Sequence, residues 1–75
     1  MAIFKFRARN SKTGKPIKVL ITLGGTQRGH TFDEKDKWLI VETSQSGYFS
    51  WSAKYDGKTI DSGKSDGGTI DITYP

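Results

Sequence analysis

The chain has no cysteine, a single histidine, one methionine and two prolines in 75 residues. Without cysteine there is no disulfide framework to staple a small fold and no thiolate metal site. With His30 alone, a transition-metal centre lacks ligands. No stretch approaches the roughly 18 apolar residues of a membrane-spanning helix, and MAIFKFRARN, charged at Lys5, Arg7 and Arg9, holds no apolar run of signal-peptide length. A free-standing chain of this kind is expected in the cytoplasm, and a module excised from a larger surface protein outside the cell. No window shows a 3.6-residue apolar period, which removes the amphipathic helix as a building element.

One charge sign is also missing where it would be noticed. From Met1 to Arg28 there are seven basic residues and no acidic one; the remainder carries five basic and all eight acidic residues, so the two parts hold +7 and −3 of the net +4. Hydrophobic content is only 33%, yet Trp38, Trp51 and seven Phe or Tyr residues enlarge the available core, because each ring buries roughly 150–250 Å². A single folded domain spanning 1–75 is expected.

What is present is period-two alternation broken by turn residues, the pattern of an all-β sandwich or barrel. Ala2 to Arg9 alternates, with Ala2, Phe4, Phe6 and Ala8 opposite Ile3, Lys5, Arg7 and Arg9. The most apolar stretch, SKTGKPIKVLITLGG, reads as a turn, then a strand from Ile17 to Leu23 with Ile17, Val19, Ile21 and Leu23 on one face, then a Gly-Gly break. Gly24 to His30 reads as a loop, Thr31 and Phe32 as a short strand, and Asp33 to Lys37 as a charged turn. Trp38 to Thr43, apolar on both faces at WLIV, reads as a central strand. Tyr48 to Tyr55, then Lys58 to Ser62 across the Asp56-Gly57 hairpin signal, then Thr69 to Tyr74 complete about seven strands. The expected fold is a single antiparallel β-sandwich, transthyretin-like or immunoglobulin-like. Its core would be Phe4, Phe6, Ile17, Val19, Ile21, Leu23, Leu39, Val41, Phe49, Trp51, Ala53, Ile60, Ile70 and Ile72.

From about Ile3 to Tyr74 the chain resembles the carboxypeptidase regulatory-like domain, a transthyretin-like (prealbumin-like) β-sandwich. The resemblance rests on Thr13-Gly14-Lys15-Pro16-Ile17, on Gly47-Tyr48-Phe49 followed by Ala53-Lys54-Tyr55-Asp56-Gly57, and on the closing Thr69-Ile70-Asp71-Ile72. The chain departs from that family at Asp33 to Lys37, where the family's turn usually carries a glycine and this one has none. The resemblance implies a non-catalytic structural, spacer or ligand-presenting role with no active-site residues to transfer.

The residues themselves agree with a non-enzyme. GGTQRGH, Gly24 to His30, lacks P-loop spacing and no helix is expected to follow it. Asp33, Glu34 and Asp36 are interleaved with Lys35 and Lys37, which repel a calcium ion. The serines (Ser44, Ser46, Ser50, Ser52, Ser62, Ser65) lie in no nucleophile elbow, and His30 has no orienting partner. No catalytic, metal or cofactor site is expected.

Binding is the remaining class. Lys5, Arg7 and Arg9 share one strand face, and Lys12, Lys15, Lys18 and Arg28 extend the basic block. The first reading is protection of an edge strand against sheet-to-sheet association; the second is an anionic partner, nucleic acid included, held by counterion release. Against nucleic acid, Phe4 and Phe6 alternate inward, away from the charge. Trp38 and Tyr48 are candidate contacts for a protein or polysaccharide partner, since Trp and Tyr are preferred interface anchors.

Overall fold

Alternation builds the first strand. In β1 (Ala2–Asn10), Ala2, Phe4, Phe6 and Ala8 are buried while Ile3, Lys5 and Arg9 are exposed, the period of two that a pleated strand imposes. The computed structural model, which describes residues 1–75, places six more strands after it: β2 (Leu20–Leu23), β3 (Thr26–His30), β4 (Leu39–Thr43), β5 (Phe49–Tyr55), β6 (Lys58–Ser65) and β7 (Gly68–Tyr74). No helix is present, so none is long and apolar enough to cross a membrane. The strands form a three-stranded sheet, β4-β1-β7, and a four-stranded sheet, β3-β2-β5-β6.

The two inner faces interlock large residues with small ones. Phe4 and Phe6 on β1 stack at 6.3 Å; Phe4 meets Phe49 edge-on at 5.9 Å and Phe6 meets Trp51 at 6.2 Å, so the aromatic contact runs from one sheet to the other. Ala2, Ala8 and Ala53 leave room for these rings, and Val19, Ile21, Leu23, Val41 and Ile72 complete the buried apolar set. Ile17, Leu39, Phe49, Trp51, Ile60 and Ile70 pack against it while remaining partly open. Every expected core residue is therefore in or on the core. On β6, Gly63 lies under the Trp51 indole, where a Cβ would stand 3.2 Å from the ring.

Several expectations are corrected. The sheets are not wholly antiparallel: β1 and β7 run parallel, with Phe6 beside Ile70 and Arg7 beside Asp71. β4 is an edge strand rather than a central one, because β1 takes the centre of its sheet and the outward side of WLIV is left uncovered. The Gly24–His30 segment is not a loop; Gly24 and Gly25, at φ of 60° and 81°, turn β2 back into β3, a two-residue hairpin that needs positive φ at both positions. Thr31 and Phe32 form no strand.

The apolar stretch around Ile17 changes sheets. Arg9 and Pro16 form an isolated bridge and Ile17 N–H donates to Ala8 C=O at 3.0 Å, tying that end to β1, whereas Leu20 onward pairs with β3 and β5. The regular strand thus starts at Leu20 rather than Ile17. The Asp56-Gly57 turn forms as expected, with φ of 52° and 80°. At Asp33 to Lys37, where no glycine is available, Asp36 itself takes φ of 63°, a conformation that Asp and Asn tolerate better than most residues.

Candidate interaction surface

The two outward faces of the molecule differ in chemistry. On the four-stranded sheet, the pairs Thr22 beside Ser52, Ser52 beside Ser62 and Ser50 beside Lys64 give a hydroxyl- and ammonium-bearing surface. On the three-stranded sheet, the register sets Glu42 beside Ile3, and Ile40 and Thr69 on either side of Lys5; Asp71 lies beside Arg7 and Thr73 beside Arg9. Nothing covers this face, and it exposes two aliphatic side chains, Ile3 at 45% and Ile40 at 57%. Isolated exposed hydrophobics are ordinary; here two of them lie on adjacent strands of one face, next to cations.

Arg7 organises the middle of the face. Its Nη2 donates to Asp71 Oδ2 at 2.8 Å, and its guanidinium carbon lies 4.2 Å from the centre of the Trp38 ring. Cation–π stacking and a carboxylate hydrogen bond use different parts of one planar group, so both are satisfied together. The hydrogen bond that Arg7 donates to Asp71 raises the Arg7 pKa further above its ordinary value, with desolvation opposing and the charge of Asp71 adding. A raised pKa on a cation means the folded state favours the charged form, so this contribution is present at all pH below the strongly alkaline range and is lost only there. Nε of Arg7 is buried without a partner, the cost of clamping the side chain between indole and carboxylate.

Lys5 and Arg9 flank Arg7 along β1, and neither forms an ion pair. The strand that carries them is the central one, so edge protection does not account for its charges. Beyond Arg9 the chain turns at Ser11 to Lys15, with Asn10 Oδ1 accepting from Lys12 N–H at 2.8 Å and Thr13 N–H at 3.2 Å. A cleft of about 130 Å³ opens there between Arg7, Arg9, Gly14, Pro16, Lys35 and Asp36. Lys12 and Lys15 are exposed on the turn at this end of the face.

The other basic residues lie elsewhere. Lys18 shares a separate shallow depression with His30, Thr31 and Phe32, and Arg28 on β3 shares another with Glu42 and Phe49. Of the seven cations of the first 28 residues, five therefore lie on β1 and its following turn, with Lys18 and Arg28 apart from them. Of the two aromatic candidates, Trp38 belongs to the Arg7 cluster, half-buried, whereas Tyr48 is 76% exposed just ahead of β5. Ile3, Ile40 and Asp71 were not selected as site residues from sequence; their signal is the pairing register, which alternation alone does not provide. Phe32, 37% exposed with Lys37 Nζ 5.7 Å from its ring centre, is another exposed aromatic beside a cation.

No group of three His, Cys, Asp or Glu side chains converges as a metal site would require. Comparison with family models, with curated proteins and with solved structures finds no match for the chain.

Proposed function

We propose that this protein is a non-catalytic interaction module that presents the outer face of its three-stranded sheet to an acidic partner, a protein or a polysaccharide. The observation that carries the reading is the uncovered face on which Ile3 and Ile40 adjoin Lys5, the Arg7–Trp38 stack and Arg9. Interfaces favour this mixture of an apolar centre with Arg and Trp. The face is tested by titrating labelled protein with heparin and with polyglutamate at about 50 mM salt. Amide shifts confined to β1, β4 and β7, weakened in the Lys5→Gln/Arg9→Gln double variant, are expected. No shift on this face with either probe overturns the reading, as does reproducible hydrolytic turnover lost on mutating one of the candidate polar residues.

A second reading, a small basic nucleic-acid-binding protein, draws support from Phe32. It lies in one depression with Lys18 and His30, and its ring faces Lys37, which is the exposed aromatic among cations that single-strand binders use. Single-stranded DNA would then shift Phe32, Lys18 and His30 in place of the sheet face.

We further propose that the sandwich is of the transthyretin-like type and that the chain is kin to carboxypeptidase regulatory-like domains. Support comes from the seven strands in two sheets, from the Thr13–Pro16 turn that returns the chain to β1, and from the Asp56-Gly57 hairpin.

A further inference from the structure

Each sheet has two free edges, and three of the four carry a device against pairing with another chain. β3 is irregular against β2 and holds Arg28 and Gly29; β6 is irregular against β5 and holds Lys58 and Lys64. Bulges and lysines are recognised ways of blunting an edge. β7 is regular, but pairing it with its own copy over its full length centres the two-fold axis on Asp71 and sets two carboxylates opposite each other, which is destabilising. β4 is different. Its sequence, LIVET, has no lysine, proline or glycine, its pairing with β1 is free of irregularity, and its second edge is unpaired.

We propose that β4 is a self-association seam: two copies of the chain pair antiparallel along β4, about a two-fold axis at Ile40, joining their three-stranded sheets into one of six strands. A two-fold axis perpendicular to the sheet keeps both cores on one side only if a residue faces its own copy, and three such registers fit the strand. Centring on Glu42 opposes two carboxylates, and centring on Val41 sets Ile40 against the Glu42 of the second copy. Centring on Ile40 brings the two most exposed strand aliphatics together and sets Leu39 against Val41. It also places Glu42, which makes no ion pair in the single chain although it shares a cleft with Arg28, beside the Trp38 of the other copy. That indole carries the Arg7 guanidinium at 4.2 Å, so the unpaired carboxylate meets a cation already leaning toward β4. The interface is isologous, the same patch from both copies. A five-residue seam is well under the roughly 1,000 Å² of a lasting interface, so the association is weak and concentration-dependent. The inference does not depend on what, if anything, binds the sheet face.

The cysteine-free chain allows a direct test. Opposed residues in an antiparallel pair have Cα atoms about 4.5–5.5 Å apart, within disulfide range. Ile40→Cys should therefore form an intermolecular disulfide readily under mild oxidation, whereas Glu42→Cys and Thr73→Cys should not. Sedimentation equilibrium of the unmodified protein should show dimer at about 1 mM and monomer at about 10 µM, the range of a weak complex. Ile40→Lys should remain monomeric at both concentrations with its melting temperature at the lower one unchanged. A protein wholly monomeric at the higher concentration, a dimer that survives Ile40→Lys, or equal cross-linking at Glu42→Cys overturns the proposal.

Discussion

Thr31 and Val19 are joined by two hydrogen bonds, Thr31 N–H to Val19 C=O and Val19 N–H to Thr31 Oγ1, both at 2.9 Å. The same hydroxyl donates to Ile17 C=O at 2.8 Å. Residues 17 to 19 are where the chain passes from one sheet to the other, and the buried Thr31 hydroxyl supplies the partners of Val19 N–H and Ile17 C=O that the main chain does not. Thr31→Val keeps the shape and leaves a buried N–H and a C=O unpaired, which costs about 2–5 kcal/mol at the usual price of such groups. Thr31→Ser keeps the hydroxyl and should lose far less. Urea unfolding of the two variants checks the difference.

Phe4 is wholly buried between the stacked ring of Phe6 and the edge of Phe49, whereas Tyr48 is among the most exposed residues. Phe4→Ala removes a core ring and should cost about 3–5 kcal/mol. That is a large part of the stability a domain of this size holds, about 5–15 kcal/mol for proteins in general. Tyr48→Ala should stay within about 0.5 kcal/mol. Thermal unfolding followed by circular dichroism separates them, and a marked loss at Tyr48 would show that the segment ahead of β5 packs where the structure leaves it open.

How much of this was legible in the sequence depends on the range of the interaction. β1, β5 and the Asp56-Gly57 turn are set by alternation and local turn chemistry, so Phe4, Phe6, Phe49, Trp51 and Ala53 could be assigned inward from the chain alone. β3 was not, because TQRGH has no alternating apolar face; the usable signal was Gly24-Gly25, a hairpin dipeptide in its own right. The central place of β1 and the edge place of β4 follow from the parallel β1–β7 pairing, whose partners are 64 residues apart at Arg7 and Asp71. No local rule reports such a contact. For the same reason the basic side of β1 and Trp38 could be read as candidates, while the stacking of Trp38 on Arg7 and the isoleucines and Asp71 that give the face its character could not.

Gly67 turns β6 into β7 at φ of 132°, and a Cβ there would stand 3.2 Å from the carbonyl oxygen of Ile3. Both the backbone conformation and the contact with main chain oppose a side chain. Gly67→Ala should therefore cost about 1–3 kcal/mol, more than Gly14→Ala, whose position shares a positive φ but faces open space. Chemical denaturation of the pair tests whether the approach of β1 to this turn is as close as described.

Asp71 offers a case in which stability and binding should move in opposite directions. Its carboxylate holds Arg7 over Trp38, so Asp71→Asn weakens the hydrogen bond that fixes the guanidinium and removes the one acidic side chain facing β1 from β7. Both partners are about a third exposed, and pairs of that kind contribute modestly, so the melting temperature should fall slightly. The sheet face meanwhile becomes more positive by one charge and frees Arg7 to meet an anion. Heparin elution should then require more salt than for the unmodified protein, with a steeper salt dependence. Lys5→Gln/Arg9→Gln should elute earlier at unchanged melting temperature, since neither residue is paired. Parallel losses of stability and retention in Asp71→Asn would mean that Arg7 binds anions only in its clamped position over Trp38.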